Sequence, residues 1–197
     1  VEAAFRDRPT RRAFTFLDDN GERTITTIGD RLAPAAADPL PWDDLAGLDG
    51  VYYTAGGRGA LAAARRARVL VATSRVLRHL LETRVRLDAL VGSARDTAER
   101  FDPASLDPPP KLSVLTAGRE GGTYRSASGA AGLFRAVAPT GAVADEYGAG
   151  DSFAAGLTFA LAEGRGVDDA LAFAASKGAE AMTRRGAHGT FPPSSAG

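Results

Sequence analysis

The 197-residue chain contains no cysteine, which excludes disulfides, thiolate metal sites and a cysteine nucleophile. It also lacks an excess of either charge, with 24 Lys and Arg against 24 Asp and Glu. A general binder of nucleic acid or of a membrane surface depends on surplus positive charge, so no nucleic-acid and no membrane partner is expected. No apolar run approaches the length of a membrane span, and no basic segment followed by an apolar stretch opens the chain. A soluble, cytoplasmic protein is the expectation. Histidine is scarce. His79 falls in a basic stretch and reads as a surface residue, and His188 has no histidine or carboxylate nearby to make a metal site. With two histidines and no G-x-S-x-G elbow, a Ser-His-Asp hydrolase is disfavoured. Methionine occurs once, at Met182, and the chain opens on Val1. Either a valine codon serves as the start or the sequence is a piece of a longer protein.

The length suits one domain, residues 1–197, long enough to bury a substantial core. The run Arg12–Leu17, the turn signal Asp18-Asp19-Asn20-Gly21 and the β-branched run Glu22–Ile28 read as a hairpin within residues 10–30. A Pro- and Ala-rich link, Leu32 to Pro41, leads to an α/β core over residues 48–197. There Val51–Thr54, Val69–Ala72, Leu87–Val91 and Leu112–Thr116 read as strands. Helices are expected between them over Ala60–Ala67, Ser74–Thr83 and Ala94–Arg100, and two long ones follow over Ser152–Glu163 and Val167–Thr183. Short continuous apolar strands alternating with helices imply a parallel sheet covered on both faces.

The stretch Asp145-Glu146-Tyr147-Gly148-Ala149-Gly150-Asp151-Ser152-Phe153 puts two glycines and an acid where a loop becomes a helix. The segment after it is apolar almost all round, so the helix is expected to be buried. Its first turn carries unpartnered N–H groups and partial positive charge, which suits a phosphate. Gly148 and Gly150 let the backbone approach a ligand, and Asp151 stands where it would accept a proton from a hydroxyl facing that phosphate. Taken alone, the same residues would also make a plain helix cap.

A second glycine loop, Thr116-Ala117-Gly118-Arg119-Glu120-Gly121-Gly122, follows the fourth strand. Ligands of open α/β sheets bind at strand carboxyl ends. Thr116 would offer a hydroxyl to phosphate, and Gly118 and Gly121 would allow close approach. The alternative is a hairpin turn leading to Thr123-Tyr124-Arg125. A rival motif, Gly57-Arg58-Gly59-Ala60-Leu61-Ala62, fits the dinucleotide fingerprint G-x-G-x-x-A. It lacks the acid expected at the end of the next strand, which closes on Ala72-Thr73-Ser74. The arginines Arg65, Arg66, Arg68, Arg75, Arg78, Arg84 and Arg86 read as solvated helix faces.

On these residues the chain resembles the ribokinase-like (PfkB) family of carbohydrate and nucleoside kinases. The family signature D-T-x-G-A-G-D-x-F is met by Asp145, Gly148, Ala149, Gly150, Asp151 and Phe153, and its nucleotide loop T-x-G-x-x-G by Thr116, Gly118 and Gly121. The hairpin Arg12 to Ile28 is similar to the family's lid strands, and Ala170 to Gly186 to the helix flanking the adenine. The resemblance implies an α/β three-layer sandwich with a mostly parallel sheet and a small β lid. It implies ATP-dependent phosphorylation of a sugar or nucleoside hydroxyl, with Asp151 as base and the backbone N–H groups of Gly148, Ala149 and Gly150 as anion hole. Ala174, Lys177 and Gly178 would meet the nucleotide, and Mg²⁺ would neutralise its phosphates. A homodimer through the lid strands is a further implication.

Four departures go with the resemblance. Glu146 and Tyr147 stand where the family usually has small residues, often with a hydroxyl, which argues against a monovalent-cation site. The family's N-x-x-E appears as Ser93-Ala94-Arg95-Asp96, so Ser93 and Asp96 would meet metal and phosphate with altered ligands. Lys177 would meet a phosphate or merely solvent. The family's N-terminal βαβ region, with most of its substrate contacts, has no counterpart here, so the chain reads as N-terminally incomplete. That loss is expected to expose apolar surface on one side of the sheet. An inactive nucleotide-binding remnant of the family is the first alternative reading, and a dinucleotide-dependent oxidoreductase the second.

Overall fold

The computed structural model describes residues 1–17 and 23–184. The turn signal Asp18–Gly21, His188 and the end of the adenine-side segment at Gly186 lie outside the described residues. The hairpin strands β1 (Arg12–Leu17) and β2 (Arg23–Ile28) pair antiparallel from Arg12↔Ile28 to Leu17↔Arg23 and form a sheet of their own. Phe14 and Phe16 of β1 stay largely exposed.

The main sheet has six strands in sequence order. Strands β3 (Gly50–Tyr53), β4 (Val69–Thr73), β5 (Ala89–Ser93) and β6 (Leu112–Thr116) run parallel, and β7 (Gly122–Ser126) and β8 (Ala131–Phe134) run antiparallel. Four helices accompany it: α1 (Arg58–Ala64), α2 (Leu77–Leu81), α3 (Ala149–Ala162) and α4 (Val167–Ala181). The side-chain period of two explains why β4 is buried along its whole length. Val69 and Val71 join a core with α3 and α4, while Leu70 and Ala72 join the opposite core with α1 and α2. Ala89 and Val91 of β5 face the first core and Leu90 the second. The parallel strands β4 and β5 are thus covered on both faces, as their continuous apolar runs imply. No helix among the described residues is long and apolar enough to cross a membrane.

Three elements differ from the sequence expectation. A 3-10 turn, Ser74–Val76, precedes the five-residue α2 where one helix is expected. The expected helix Ala94–Arg100 is only the 3-10 turn Thr97–Glu99. There Ser93 Oγ accepts the N–H groups of Arg95 and Asp96 at 3.2 and 3.3 Å, and Asp96 Oδ1 accepts that of Ala98 at 2.9 Å. Such local bonds compete with a helix for the same donors. Gly92 leaves room for this segment to fold back over β5, since a Cβ there would collide with the Glu99 carbonyl and lie 2.7 Å from Ser74 Oγ. The third difference is the pair β7 and β8, of which only Thr123-Tyr124-Arg125 is foreshadowed, as the far side of a hairpin turn.

In the rival glycine motif Gly59 abuts the linker, where an added Cβ would lie 2.5 Å from Ala36 Cβ, so this glycine is required by packing.

Asp88, just before β5, ties the entry ends of three strands together. Its side chain is 11% exposed, and it accepts Leu70 N–H, Arg65 Nη1 and Lys111 Nζ, each at 2.8 Å. Burial alone would raise its pKa, but the bonds from Lys111, Leu70 and Arg65 outweigh burial and hold it below the ordinary 3.8. A carboxyl depressed on folding stabilises the fold above the unfolded value and loses that effect as pH falls through the folded one. Asp88→Ala is therefore expected to cost about 1–3 kcal/mol at pH 7, because it leaves the buried Leu70 N–H without a partner and unpairs Arg65 and the exposed Lys111. The gap in melting temperature between wild type and variant should close as the pH falls below about 4.

Candidate active site

The carboxyl ends of β4, β5 and β6 lie side by side, and Ser93 pairs in register with Thr116. Thr116 Oγ1 donates to the Gly92 carbonyl at 3.2 Å, and Ala94 N–H donates to the Thr116 carbonyl at 2.8 Å. Beyond β6 the glycine loop is the hairpin turn into β7, the alternative reading of the sequence. Ala117 N–H donates to Gly121 O at 2.7 Å, and Gly121, at φ 83°, passes against the Phe134 carbonyl where a side chain has no room. Gly118, at φ 62°, lies under the Arg95 guanidinium, which comes within 2.9 Å of the place a Cβ would take.

The start of α3 is built from its neighbours. Asp145 Oδ1 accepts Tyr147 N–H at 2.8 Å, which bends the chain into Gly148 at φ 87°. Main-chain N–H groups of Ala144 and Asp145 donate to the Met182 carbonyl at 2.9 and 3.3 Å, fastening the turn to the end of α4. As the helix N-cap, Gly148 has no side chain to close the first turn, and Ala149 N–H makes only a long 3.4 Å bond to the Glu146 carbonyl. Beneath it Phe153 is buried and stacks on Phe134 with centroids 5.4 Å apart.

Asp151 is the third residue of α3. Its Oδ1 accepts the Tyr52 hydroxyl at 2.9 Å, and Arg75 Nη2 approaches Oδ1 and Oδ2 at 3.4 and 3.3 Å. Arg75 Nε in turn donates to Glu99 Oε1 at 2.9 Å. Burial, followed by the charge and the hydrogen bond of Asp151, pushes the Tyr52 phenol well above its ordinary range. Tyr52 is thus a neutral, fixed donor. Arg75 pays a burial penalty as a cation, but the charges of Asp151 and Glu99 more than offset it and raise its pKa further.

An open cleft of about 740 Å³ brings together Tyr52, Tyr147, Gly148, Asp151 and Lys177. Lys177 is paired there with Glu180 at 3.0 Å. The nucleotide-loop residues Thr116, Gly118 and Gly121 stand apart from this cleft, beside Ser93 and Asp96 at the ends of β5 and β6. Ala174 is fully buried in the core and offers a ligand no surface. Gly178 is buried too, where an added Cβ would come within 3.2 Å of the Ala149 carbonyl. Among the described residues no three His, Asp or Glu side chains form a metal cluster. Ser93 and Asp96 nonetheless suit Mg²⁺ brought in by a nucleotide, since Mg²⁺ keeps phosphate and water ligands and needs only one or two protein oxygens.

Sequence reasoning missed Tyr52, Arg75 and Glu99. Tyr52 reads as an ordinary strand residue, and Arg75 is grouped with the solvated arginines. The available signal was position: Arg75 comes two residues after Thr73, at the carboxyl end of a parallel strand, where sites collect.

A family model for pfkB family carbohydrate kinases matches residues 83–193. No curated protein sequence matches the chain. Several solved structures share its fold. A probable sugar kinase from Rhizobium etli is 18% identical with a TM-score of 0.68, over 89% of this chain and 61% of that one. The adenosine kinase of Sinorhizobium meliloti is 22% identical with a TM-score of 0.67, over 89% and 62%. An Arabidopsis thaliana ribokinase, solved with ribose and ATP, is 19% identical with a TM-score of 0.65, over 92% and 65%. The fold is the ribokinase-like α/β fold, and the chain spans somewhat under two thirds of each of these proteins.

The two glycines of the α3 turn differ in what they need. A side chain at either meets nothing within 4 Å, but only Gly148 has positive φ. Gly148→Ala is expected to cost about 1–2 kcal/mol of stability from backbone strain alone. Gly150→Ala should be neutral or gain up to about 1 kcal/mol, as alanine is the better helix former. Denaturant unfolding of the two variants checks this ordering.

Proposed function

Because the chain belongs to the pfkB family of carbohydrate kinases, we propose that it transfers the terminal phosphoryl group of ATP to a hydroxyl of a sugar or nucleoside. One observation carries the reading: the Asp151 carboxylate stands on the first turn of α3, beside N–H donors that Gly148 leaves uncapped. A charge-bearing phosphoryl group and the base that serves its acceptor need that closeness.

Asp151 is the general base. It takes the proton of the acceptor hydroxyl as the oxygen attacks the γ-phosphorus in line. The N–H groups of Gly148, Ala149 and Gly150, helped by the α3 dipole, stabilise charge on the transferring group. These donors are main-chain atoms on a helix fixed by packing, so they need no reorganisation as charge develops. Thr116, Gly118 and Gly121 give the nucleotide phosphates a loop that backbone can approach closely, and Lys177 borders the nucleotide on α4, while Gly178 lets α4 pack against the first turn of α3. Ser93 and Asp96 are the residues that would hold Mg²⁺, which neutralises phosphate charge when bound. Tyr52 orients Asp151 and, being neutral, adds no repulsion to an incoming phosphate.

A second reading, nucleotide binding without transfer, is favoured by the engagement of the site's acids. Asp151 is paired with Arg75, and the Ser93 hydroxyl and one Asp96 oxygen are bonded to nearby backbone. Asp151→Asn separates the two readings. The variant is expected to bind ATP·Mg²⁺ as wild type does and to lose at least about 10²–10⁴-fold in turnover on whichever sugar or nucleoside the wild type phosphorylates. Calorimetric binding and a coupled ADP-release assay across a substrate panel supply the two readouts. Undiminished turnover by the variant removes Asp151 from its role, and a wild type that binds ATP yet turns over nothing supports the binding-only reading.

A further inference from the structure

Arg75 is held unevenly. At one end its Nε donates to Glu99 Oε1 at 2.9 Å, and that carboxylate is only 18% exposed. At the other end Nη2 straddles the two Asp151 oxygens at 3.4 and 3.3 Å, beyond the 2.7–2.9 Å typical of a charge-assisted bond. The guanidinium is thus anchored on Glu99 and loosely placed on Asp151. The two side chains at the loose end are 44% and 43% exposed, so a dissolved anion reaches the gap between them. The uncapped first turn of α3 opens onto the same place, because Asp151 belongs to that turn.

The inference rests on the kinase reading above, in which a phosphoryl group occupies that turn. We propose that Arg75 is a further phosphoryl-binding residue that exchanges Asp151 for the phosphoryl group when the turn is occupied. With the turn empty, Nη2 lies on the Asp151 carboxylate. With a phosphoryl group at the turn, Nη2 moves to one of its oxygens while Nε keeps its bond to Glu99. Asp151 is then held by Tyr52 alone. The exchange follows from charge. A phosphate terminus carries more negative charge than a single carboxylate and attracts the guanidinium more strongly. Moving the guanidinium to the phosphoryl group also frees the Asp151 oxygens that Nη2 straddles for the acceptor hydroxyl. The guanidinium then also stands between two anions that would otherwise repel each other. No bond is made or broken in the exchange apart from hydrogen bonds.

The test compares ATP·Mg²⁺ and ADP·Mg²⁺ binding to the full chain by calorimetry, in wild type, Arg75→Lys and Arg75→Ala. Arg75→Ala is expected to weaken ATP binding by about tenfold or more, the usual worth of a charge-assisted bond, and to leave ADP binding nearly unchanged. Arg75→Lys, with the charge but without the fork, should fall between. A residue that only supports the fold would weaken both nucleotides alike. If either variant keeps the wild-type ratio of ATP to ADP affinity, the inference is overturned and the kinase reading stands. A wild type that binds no ATP·Mg²⁺ overturns the kinase reading and the inference with it. Should Arg75→Ala show no cooperative melt, the ratio measured for Arg75→Lys decides alone.

Discussion

Where Asp151 stands depends on how closely α3 and α4 cross. Gly156 of α3 lies so near α4 that an added Cβ would come within 3.1 Å of Lys177 and 3.2 Å of the Ala174 backbone. Gly178 of α4 repays the approach from the other side, against the first turn of α3. Glycines at such crossings let helix backbones meet, at the cost of weaker local helix preference. In exchange α3 gains apolar neighbours along its buried length, with Phe153, Leu157 and Ala160 all in one core. A helix held this way cannot rotate without breaking that core. The side chain at its third position is therefore delivered to Tyr52 and Arg75, and the open end of the helix to the cleft.

The partners of Asp151 are of two kinds, and their difference matters more than their number. Tyr52 belongs to the sheet, stays neutral and donates one well-formed bond. It fixes the carboxylate without changing with the state of the site. Arg75 stands on a short turn after β4 and carries a charge that is drawn to whichever anion is strongest nearby. The helix dipole acts on both anions in the same sense, favouring negative charge at the start of α3. One neutral donor from the sheet and one cation from a short turn thus hold the same carboxylate.

Much of this was legible in the sequence, and the remainder was hidden for definable reasons. The parallel strands could be read from continuous apolar runs, since burial on both faces demands them. The α3 turn could be read from Gly148, Gly150 and Asp151, because few residue types satisfy its geometry. The helix expected over Ala94–Arg100 was wrong because Ser93 and Asp96 turn their oxygens onto nearby N–H groups, a competition that apolar periodicity does not register. β7 and β8 were missed because one face of each is exposed and Gly122 and Gly132 dilute their strand character. Arg75 was hidden by company. Among seven neighbouring arginines nothing in composition marks Arg75, or Arg65 at Asp88, as engaged within the fold; only the three-dimensional placement of their acids does.

The mis-read segment also connects Asp96 with the partners of Asp151. Asp96 begins the turn Thr97–Glu99 by holding Ala98 N–H, and the same turn carries Glu99 to Arg75. Gly92 permits the turn to lie back over β5, since any side chain there would push it away. A cation drawn to Asp96 would compete with Ala98 for that carboxylate and slacken the turn. Slackening would loosen the anchor of Arg75, and through Arg75 the charge beside Asp151. The shorter side chain at position 96 thus has a structural consequence of its own. An aspartate reaches the backbone two residues on as a cap, which the longer glutamate of the family pattern does less readily, and the capped turn is what brings Glu99 within reach of Arg75.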